Sequence, residues 1–413
     1  MTKLEEKYME LLLNKCIYPK NKSLFISYDK CNISFIKKLI NKAKDYGFED
    51  ILIEEKDITL EYQLLNQLSI DEIKYHPYFC NETWNKAIDK KCAFLLASTT
   101  FPNYFDDIDS KKIIAASQAK TKTQKKYIES VMNDSISWTI FGLPNKLWAE
   151  KLFPNDNNSY EKLENLIYSF CMIEKDNPID NWNQYIYIEN KKTRYLNKLN
   201  IKEIILKNNL GTYMTMGLAD NYIFRSLEKN HCIENLPTYS IWTTPHKYNV
   251  EGIIYGSMPI TYKGYNIENY WFKFSNGKVT DYGAKKGKQY LDDFFSKEDS
   301  YKRLGEIAII DFNSPISRTK ITYNNNLFDE NVSTHLAFGS AYQNTIQNGV
   351  NMSKEELDTV GCNVCPEHMD FTIGTEDLII IARTYDNEEI KIFKNGNFNY
   401  DLINETSPFV KKN

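Results

Sequence analysis

The sequence predicts an α/β protein in two parts. A small N-terminal α/β domain with a parallel sheet spans 1–108, and a larger, sheet-rich α+β domain spans 109–413. Three observations predict this. Two strand-like runs near the N-terminus flank an amphipathic helix with short connections, the pattern of a parallel unit. After Lys202 the chain turns into β-rich runs separated by Asn-Gly turns. The length of 413 residues exceeds one typical domain.

Residues 3–16 read as an amphipathic helix, and LFISY at 24–28 as a strand. In the helix that follows, Asn32 can cap, Ile33, Ile36, Leu39, Ile40 and Ala43 form an apolar stripe, and Gly47 can stop it. EDILIEE at 49–55 is the next strand. A helical region over 59–91 leads to the apolar strand CAFLLAST at 92–99. Residues 109–133 read as one long helix that leaves the first domain. SWTIFGLP is a strand, NKLWAEKLFP a short helix ended by Pro154, and two helical regions occupy 159–199. EIILKNN, TYMTMGL, GIIYGSMPITY, YWFKFSNGKVTDYGA and EEIKIFKNGNF then read as strands, with turns at NGK 276–278 and NGN 395–397. Neither a G-x-G-x-x-G nor a P-loop is present, so a nucleotide role has no support.

Chemistry concentrates in three short segments of the second part: RLGEIAII at 303–310, FDENVSTHLAFGSAY at 328–342 and EHMDFTIG at 367–374. They offer Glu306, Glu330, His335, His368 and Asp370. Three carboxylates and two imidazoles suit a hard or borderline divalent metal. In HMDFTI the period of two turns His368, Asp370 and Thr372 to one side and Met369, Phe371 and Ile373 into a core. Glu306 enters the strand EIAII. Ser333 can cap a helix over STHLAFGSAY, which places His335 in its first turn. Tyr342, seven residues on, then falls on nearly the same face, about 10 Å along the axis. Each signal has a plain structural alternative: an isolated H-x-D is weak, and a DEN triplet also reads as a capping turn.

Composition excludes several classes. Net charge is −4, from 51 basic and 55 acidic residues without a long like-charged run. Nucleic acid and membrane surfaces therefore have no electrostatic footprint here. No stretch of about 20 apolar residues exists to span a membrane. The N-terminus lacks a signal peptide's apolar block, so the expected location is cytoplasmic. The eight cysteines are too spread out for a disulfide framework. Cys362 and Cys365 form a C-x-x-C followed by His368, but no second such pair completes a four-ligand zinc site, and both are expected reduced and unmetallated. Trp242, Tyr270, Trp271 and Phe272 are candidates for a substrate pocket or, more ordinarily, core. His246 is a candidate substitute ligand, and His76 and His231 stand alone.

LFDEN-x-S-x-H-L-A-x-G-x-A-Y, RLGE-x-A and H-x-DF-x-IG resemble the thermophilic metallo-aminopeptidase family, aminopeptidases T and S. The resemblance extends to SWTIFGLPNKLWAEKLFP at 137–154, to NLPT and TTPHKYNVEG around 235–252, and to IFKNGNF at 392–398. It implies that Glu306, Glu330, His335, His368 and Asp370 are ligands of a two-metal site holding zinc or cobalt, that Glu306 bridges the ions, and that Tyr342 takes part in the chemistry. It also implies a homodimer acting on a peptide or aminoacyl substrate. One departure stands out. Where the family reads N-x-P-T-E-E-V-F-T, this chain reads NLPTYSIWT, so Tyr239 and Ser240 replace two glutamates, the second of them a metal ligand. The expected function is thus a metal-dependent aminopeptidase-like hydrolase using metal-activated water, with an impaired second metal site. The alternative is a one-metal enzyme of a specialised substrate, or an inactive binding protein.

Overall fold

The computed structural model describes residues 2–18, 22–229, 232–262 and 265–409; His231 lies outside them. Two compact units emerge: Met1–Trp182 with Glu228–Thr238, and Asn183–Leu227 with Tyr239–Asn413. The mixed α/β class anticipated above holds, with a parallel sheet in the N-terminal region and antiparallel sheets after it.

The first unit carries a five-stranded sheet in the order Asp50–Lys56, Ser23–Asp29, Ala93–Ser98, Trp138–Gly142, Asn235–Leu236, and every pairing is parallel. The apolar stripe of helix Ile33–Asp45 buries Ile36, Leu39 and Ala43, as helix period and sequence require. The boundary expected after residue 108 falls inside this unit, because Trp138–Gly142 extends the ladder begun by Ala93–Ser98. The long helix expected at 109–133 is two, Ser110–Thr123 and Lys125–Met132, separated by Gln124. The Thr121 and Thr123 hydroxyls donate back to the carbonyls of Ser117 and Lys120. Such back-bonding competes with the helical ladder and bends it.

The second unit sets a nine-stranded sheet and a four-stranded sheet around one core. The four strands run Ile241–Thr243, Leu304–Ile309, His335–Gly339, His368–Thr372, and all pairings are antiparallel. Ile241, Ile307, Ile309, Leu336, Phe338, Met369 and Phe371 face inward and join the core. Phe338 meets Phe272 of the larger sheet and Phe371 of its own, each with ring centroids 4.8 Å apart. Burying each such ring stabilises by about 1.5–3 kcal/mol. The Asn276–Gly277 turn forms as read, with φ of 51° and 73°, and joins Tyr265–Ser275 to Lys278–Lys286. A Cβ at Gly277 would lie 1.9 Å from the Lys247 carbonyl oxygen, so only glycine fits there.

One expectation fails in a way that matters for the site. The STHLAFGSAY segment is not a helix; His335–Gly339 is a strand paired on both sides. Ser333 caps nothing, and its hydroxyl donates to the Gly374 carbonyl. HLAFG alternates as cleanly as HMDFT does, and a slot between two strands outweighs local helix preference. Gly339 ends the run at φ 92°, where a Cβ would lie 2.0 Å from the Glu367 carbonyl oxygen.

A candidate metal centre on one sheet face

The face of the four-stranded sheet opposite the core carries the polar set. Alternation puts Glu306 and Ala308 on it from one strand, His335, Ala337 and Gly339 from the next, and His368, Asp370 and Thr372 from the third. In register, Ala308 opposes His335, Ala337 opposes Asp370, and Gly339 opposes His368. The small residues leave a hollow that the long side chains lean over.

Glu306, His335 and Asp370 each offer one ligand atom within 4.8 Å of the others'. His368 Nε2 lies 3.1 Å from Glu306 Oε2 and 3.1 Å from Asp370 Oδ1. Its Nδ1 lies 2.7 Å from the Ser340 carbonyl oxygen. A carbonyl only accepts, so Nδ1 carries the hydrogen and Nε2 is left as the atom that can ligate, the usual arrangement of a metal-binding histidine. Burial pulls the His368 imidazole down, but Asp370 and Glu306 beside it override this and hold it well above the ordinary value. Burial raises Asp370, and the charge of His368 more than reverses it.

Glu330 reaches the same place from the loop after the short helix Asn326–Asp329. Burial, then the charges of Asp370 and Glu306, push its carboxyl well above the ordinary range. Asn331 Nδ2 donates to Glu330 Oε1 at 3.3 Å, while its Oδ1 accepts the Tyr239 N–H at 3.0 Å. Asp329 does something different. Its two carboxylate oxygens accept the backbone N–H groups of Tyr323 and Asn325, at 2.7 and 3.0 Å. Of the DEN triplet, the first residue ties a loop, the second faces the cluster and the third orients the second. The capping-turn alternative described only the first.

Tyr342 is not one helical face away from His335. It follows the strand and opens a short turn, Gln343–Thr345, with its ring edge-on to His368 at a centroid distance of 5.4 Å. Tyr239 and Ser240, the two positions where the resemblance leads one to expect glutamates, part company. Ile241 and Thr243 oppose Ile309 and Ile307, so alternation places Ser240 and Trp242 on the face of Glu306. Ser240 is buried, and the Trp242 indole N–H is buried with no hydrogen-bond partner. Tyr239 is 1% exposed, edge-on to Tyr185 and Phe409 at 5.7 and 5.4 Å, and aromatic packing accounts for it. Among the other aromatics, Tyr270 and Phe272 are core. His246 is not in the cluster; its Nδ1 accepts the Tyr248 N–H, and its ring crowds Gly361. All eight cysteines are free thiols; Cys362 and Cys365 are buried, and burial pushes Cys362 up to about 12.

The residues fit a divalent cation. Glu306 and Asp370 meet His335 within 4.8 Å, Glu330 feels the charges of both carboxylates, His368 Nδ1 is fixed on the Ser340 carbonyl so that Nε2 is its ligating atom once deprotonated, and His335 Nδ1 is buried without a partner. Like charges held this close cost free energy that a cation relieves. The sequence analysis missed Ser340 and Asn331, which act through backbone or amide contacts that no ligand motif marks.

A family model described as thermophilic metalloprotease (M29) matches residues 1–398. Aminopeptidase 2 of Geobacillus stearothermophilus is 29% identical over 405 residues, covering 96% of this chain and 98% of that protein. Aminopeptidase AmpS of Bacillus subtilis (strain 168) is 30% identical, covering 88% and 90%. The structure of wild-type AmpT from Thermus thermophilus superposes with a TM-score of 0.87 at 24% identity, over 96% of this chain and 99% of that one.

Proposed function

The chain belongs to the thermophilic metalloprotease (M29) family, and on that premise we propose that it is a metal-dependent aminopeptidase, hydrolysing the N-terminal amide or peptide bond of a peptide or aminoacyl substrate. The observation that carries the reading is the meeting of Glu306, His335 and Asp370 from three adjacent strands, with His368 Nε2 turned to the same point. A mixed imidazole and carboxylate set suits zinc or cobalt. A divalent cation held there supplies Lewis acidity and makes water nucleophilic near neutral pH.

The chain's own groups divide the remaining work. Glu306 stands on the strand between Ile241–Thr243, which Ser240 precedes, and the His335 strand, the position a carboxylate shared by two metal sites needs. Asn331 orients Glu330, and Ser340 orients His368. The Tyr342 phenol, beside His368, is the donor for the oxyanion of the tetrahedral intermediate. A one-metal variant of this reading, an enzyme for a specialised substrate or a binding protein, rests on Ser240: a neutral hydroxyl stands on the ligand face where relatives are expected to carry a carboxylate.

Elemental analysis after dialysis, with a screen of the metal-loaded protein against aminoacyl amides and dipeptides, tests both forms. About one equivalent of metal with turnover of a narrow substrate set supports the one-metal enzyme. Two equivalents with broad turnover support the ordinary one. No stoichiometric metal and no turnover overturns the aminopeptidase reading.

A further inference from the structure

A cleft opens beside the ligand cluster at the edge strand, His368–Thr372. Its lining combines the polar Glu330, His368 and Asp370 with the apolar Pro259 and the 4% exposed edge of Ile260, and the exposed Asn326 borders it. We propose that the Pro259–Ile260 part of the cleft receives the side chain of the substrate's first residue and selects aliphatic side chains over acidic ones. This rests on the aminopeptidase reading above and names its substrate class.

The argument begins with connectivity in the substrate. An aminopeptidase substrate carries its free amine and its first side chain on the same carbon. An amine is recognised by carboxylates or by a cation they hold, so it belongs at the Glu330–Asp370 end. The side chain then points along the cleft, and the surface it meets is Pro259 and Ile260. That wall is fixed to the strand that bears the ligands. The Ser257 N–H donates to the Thr372 carbonyl oxygen at 2.9 Å, and the Tyr270 hydroxyl donates to the same oxygen at 3.1 Å. The strand Ile260–Tyr262 lies against His368–Thr372. Distance from cluster to wall is therefore set by a hydrogen-bonded frame, as a selective site requires.

The charge of the lining points the same way. Among the described residues, no Lys or Arg lines the cleft to meet an acidic side chain. Asp329, Glu330 and Asp370 also line it, so an acidic side chain there meets like charge and no lysine or arginine. Asn326 is exposed and neutral.

The test uses the full metal-loaded chain and aminoacyl p-nitroanilides of Ala, Val, Leu, Lys and Glu. Val and Leu should exceed Glu in kcat/KM by about tenfold or more, the range modest contacts in an apolar pocket command, and Lys serves as the comparison of opposite charge. Ile260→Ala should lower the Leu-to-Ala ratio by about tenfold, and Ile260→Phe should turn preference toward Ala. Asn326→Lys, at an exposed position that does not threaten folding, should raise Glu relative to Leu. Melting temperatures identify any variant that fails to fold. Turnover with preferences that Ile260→Ala and Asn326→Lys leave unchanged overturns the cleft assignment while the enzyme reading stands. If no aminoacyl amide is turned over, the enzyme reading falls, and calorimetric titration with free leucine and alanine decides the cleft alone. Leucine binding weakened by Ile260→Ala supports it; leucine that does not bind, or binds the variant equally, overturns it.

Discussion

His335 Nε2 lies 3.9 Å from Asp370 Oδ1, while the other nitrogen of the same ring is buried without a partner. An imidazole in this position loses water without gaining a full set of hydrogen bonds, a cost of order 1–3 kcal/mol for the orphaned atom. A bound cation changes that balance, so the ring is better explained as a ligand than as packing. Removing it should weaken metal binding by at least the roughly 10- to 100-fold typical of losses around metal sites. His335→Ala should therefore retain clearly less metal than the parent after dialysis. Metal and folding are also linked: at a free concentration of about 100 times Kd a ligand stabilises by about 2.7 kcal/mol. A chelator should lower the Tm of the parent and leave His335→Ala nearly unmoved. Equal metal retention by both proteins would remove His335 from the ligand set.

Tyr342 meets the cluster through its ring against His368, so its loss should separate chemistry from metal binding. Tyr342→Phe keeps that contact and deletes the hydroxyl. The expected result is unchanged metal content with kcat lower by about 10²–10³, the usual effect of losing one oxyanion donor. A variant with full kcat would assign Tyr342 to packing.

Elsewhere in the second unit, Lys192 is buried between Glu189 and Asp311, 2.8 and 3.7 Å away, and over the rings of Phe398 and Tyr400. Asp311 in turn accepts the Phe398 N–H at 2.7 Å and the Tyr400 hydroxyl. This group ties the C-terminal segment to the chain just past the Glu306 strand. Lys192→Met strands two buried carboxylates and should destabilise by about 3–5 kcal/mol, read as a lower urea midpoint at unchanged m. A shift under about 1 kcal/mol would mean that both carboxylates protonate at little cost.

How far the sequence reveals this molecule depends on which interaction decides each element. The parallel unit was legible because Ile36, Leu39 and Ala43 repeat at helix period between two strands. The H-x-D strand was legible because Met369 and Phe371 alternate with His368 and Asp370. The His335 strand was misread because Ser333 looks like a cap and the local run tolerates a helix; the deciding factor is a slot between two strands distant in sequence. The break at Gln124 was hidden for a related reason, since threonine back-bonding leaves no mark on apolar periodicity. Glu306, His335 and Asp370, which the fold brings within 4.8 Å of one another, could be singled out by residue type, whereas Asn331 and Ser340 could not. Their contribution is an amide and a carbonyl placed by the fold.

Ser240 carries the most informative remaining prediction. It stands one residue before the strand that pairs with the Glu306 strand, on the face that Glu306 shares, so a longer acid there would project toward the cluster from the side opposite Asp370. A neutral hydroxyl is a poor ligand for a dication, and Tyr239 cannot take over, because its ring is packed between Tyr185 and Phe409. Asn331 also holds the Tyr239 backbone in place. Ser240→Glu should therefore raise metal stoichiometry, measured after dialysis, from about one toward two, without any change at Tyr239. Tyr239→Glu alone should instead add no metal and destabilise the fold by about 3–5 kcal/mol, as large buried aromatics do on truncation, with the added penalty of an unpaired buried charge. If the parent already holds two tightly bound ions, the lost carboxylate is replaced by some other group and the one-metal form of the reading falls. If Ser240→Glu gains metal but no turnover of ordinary dipeptides, the second ion alone does not limit activity.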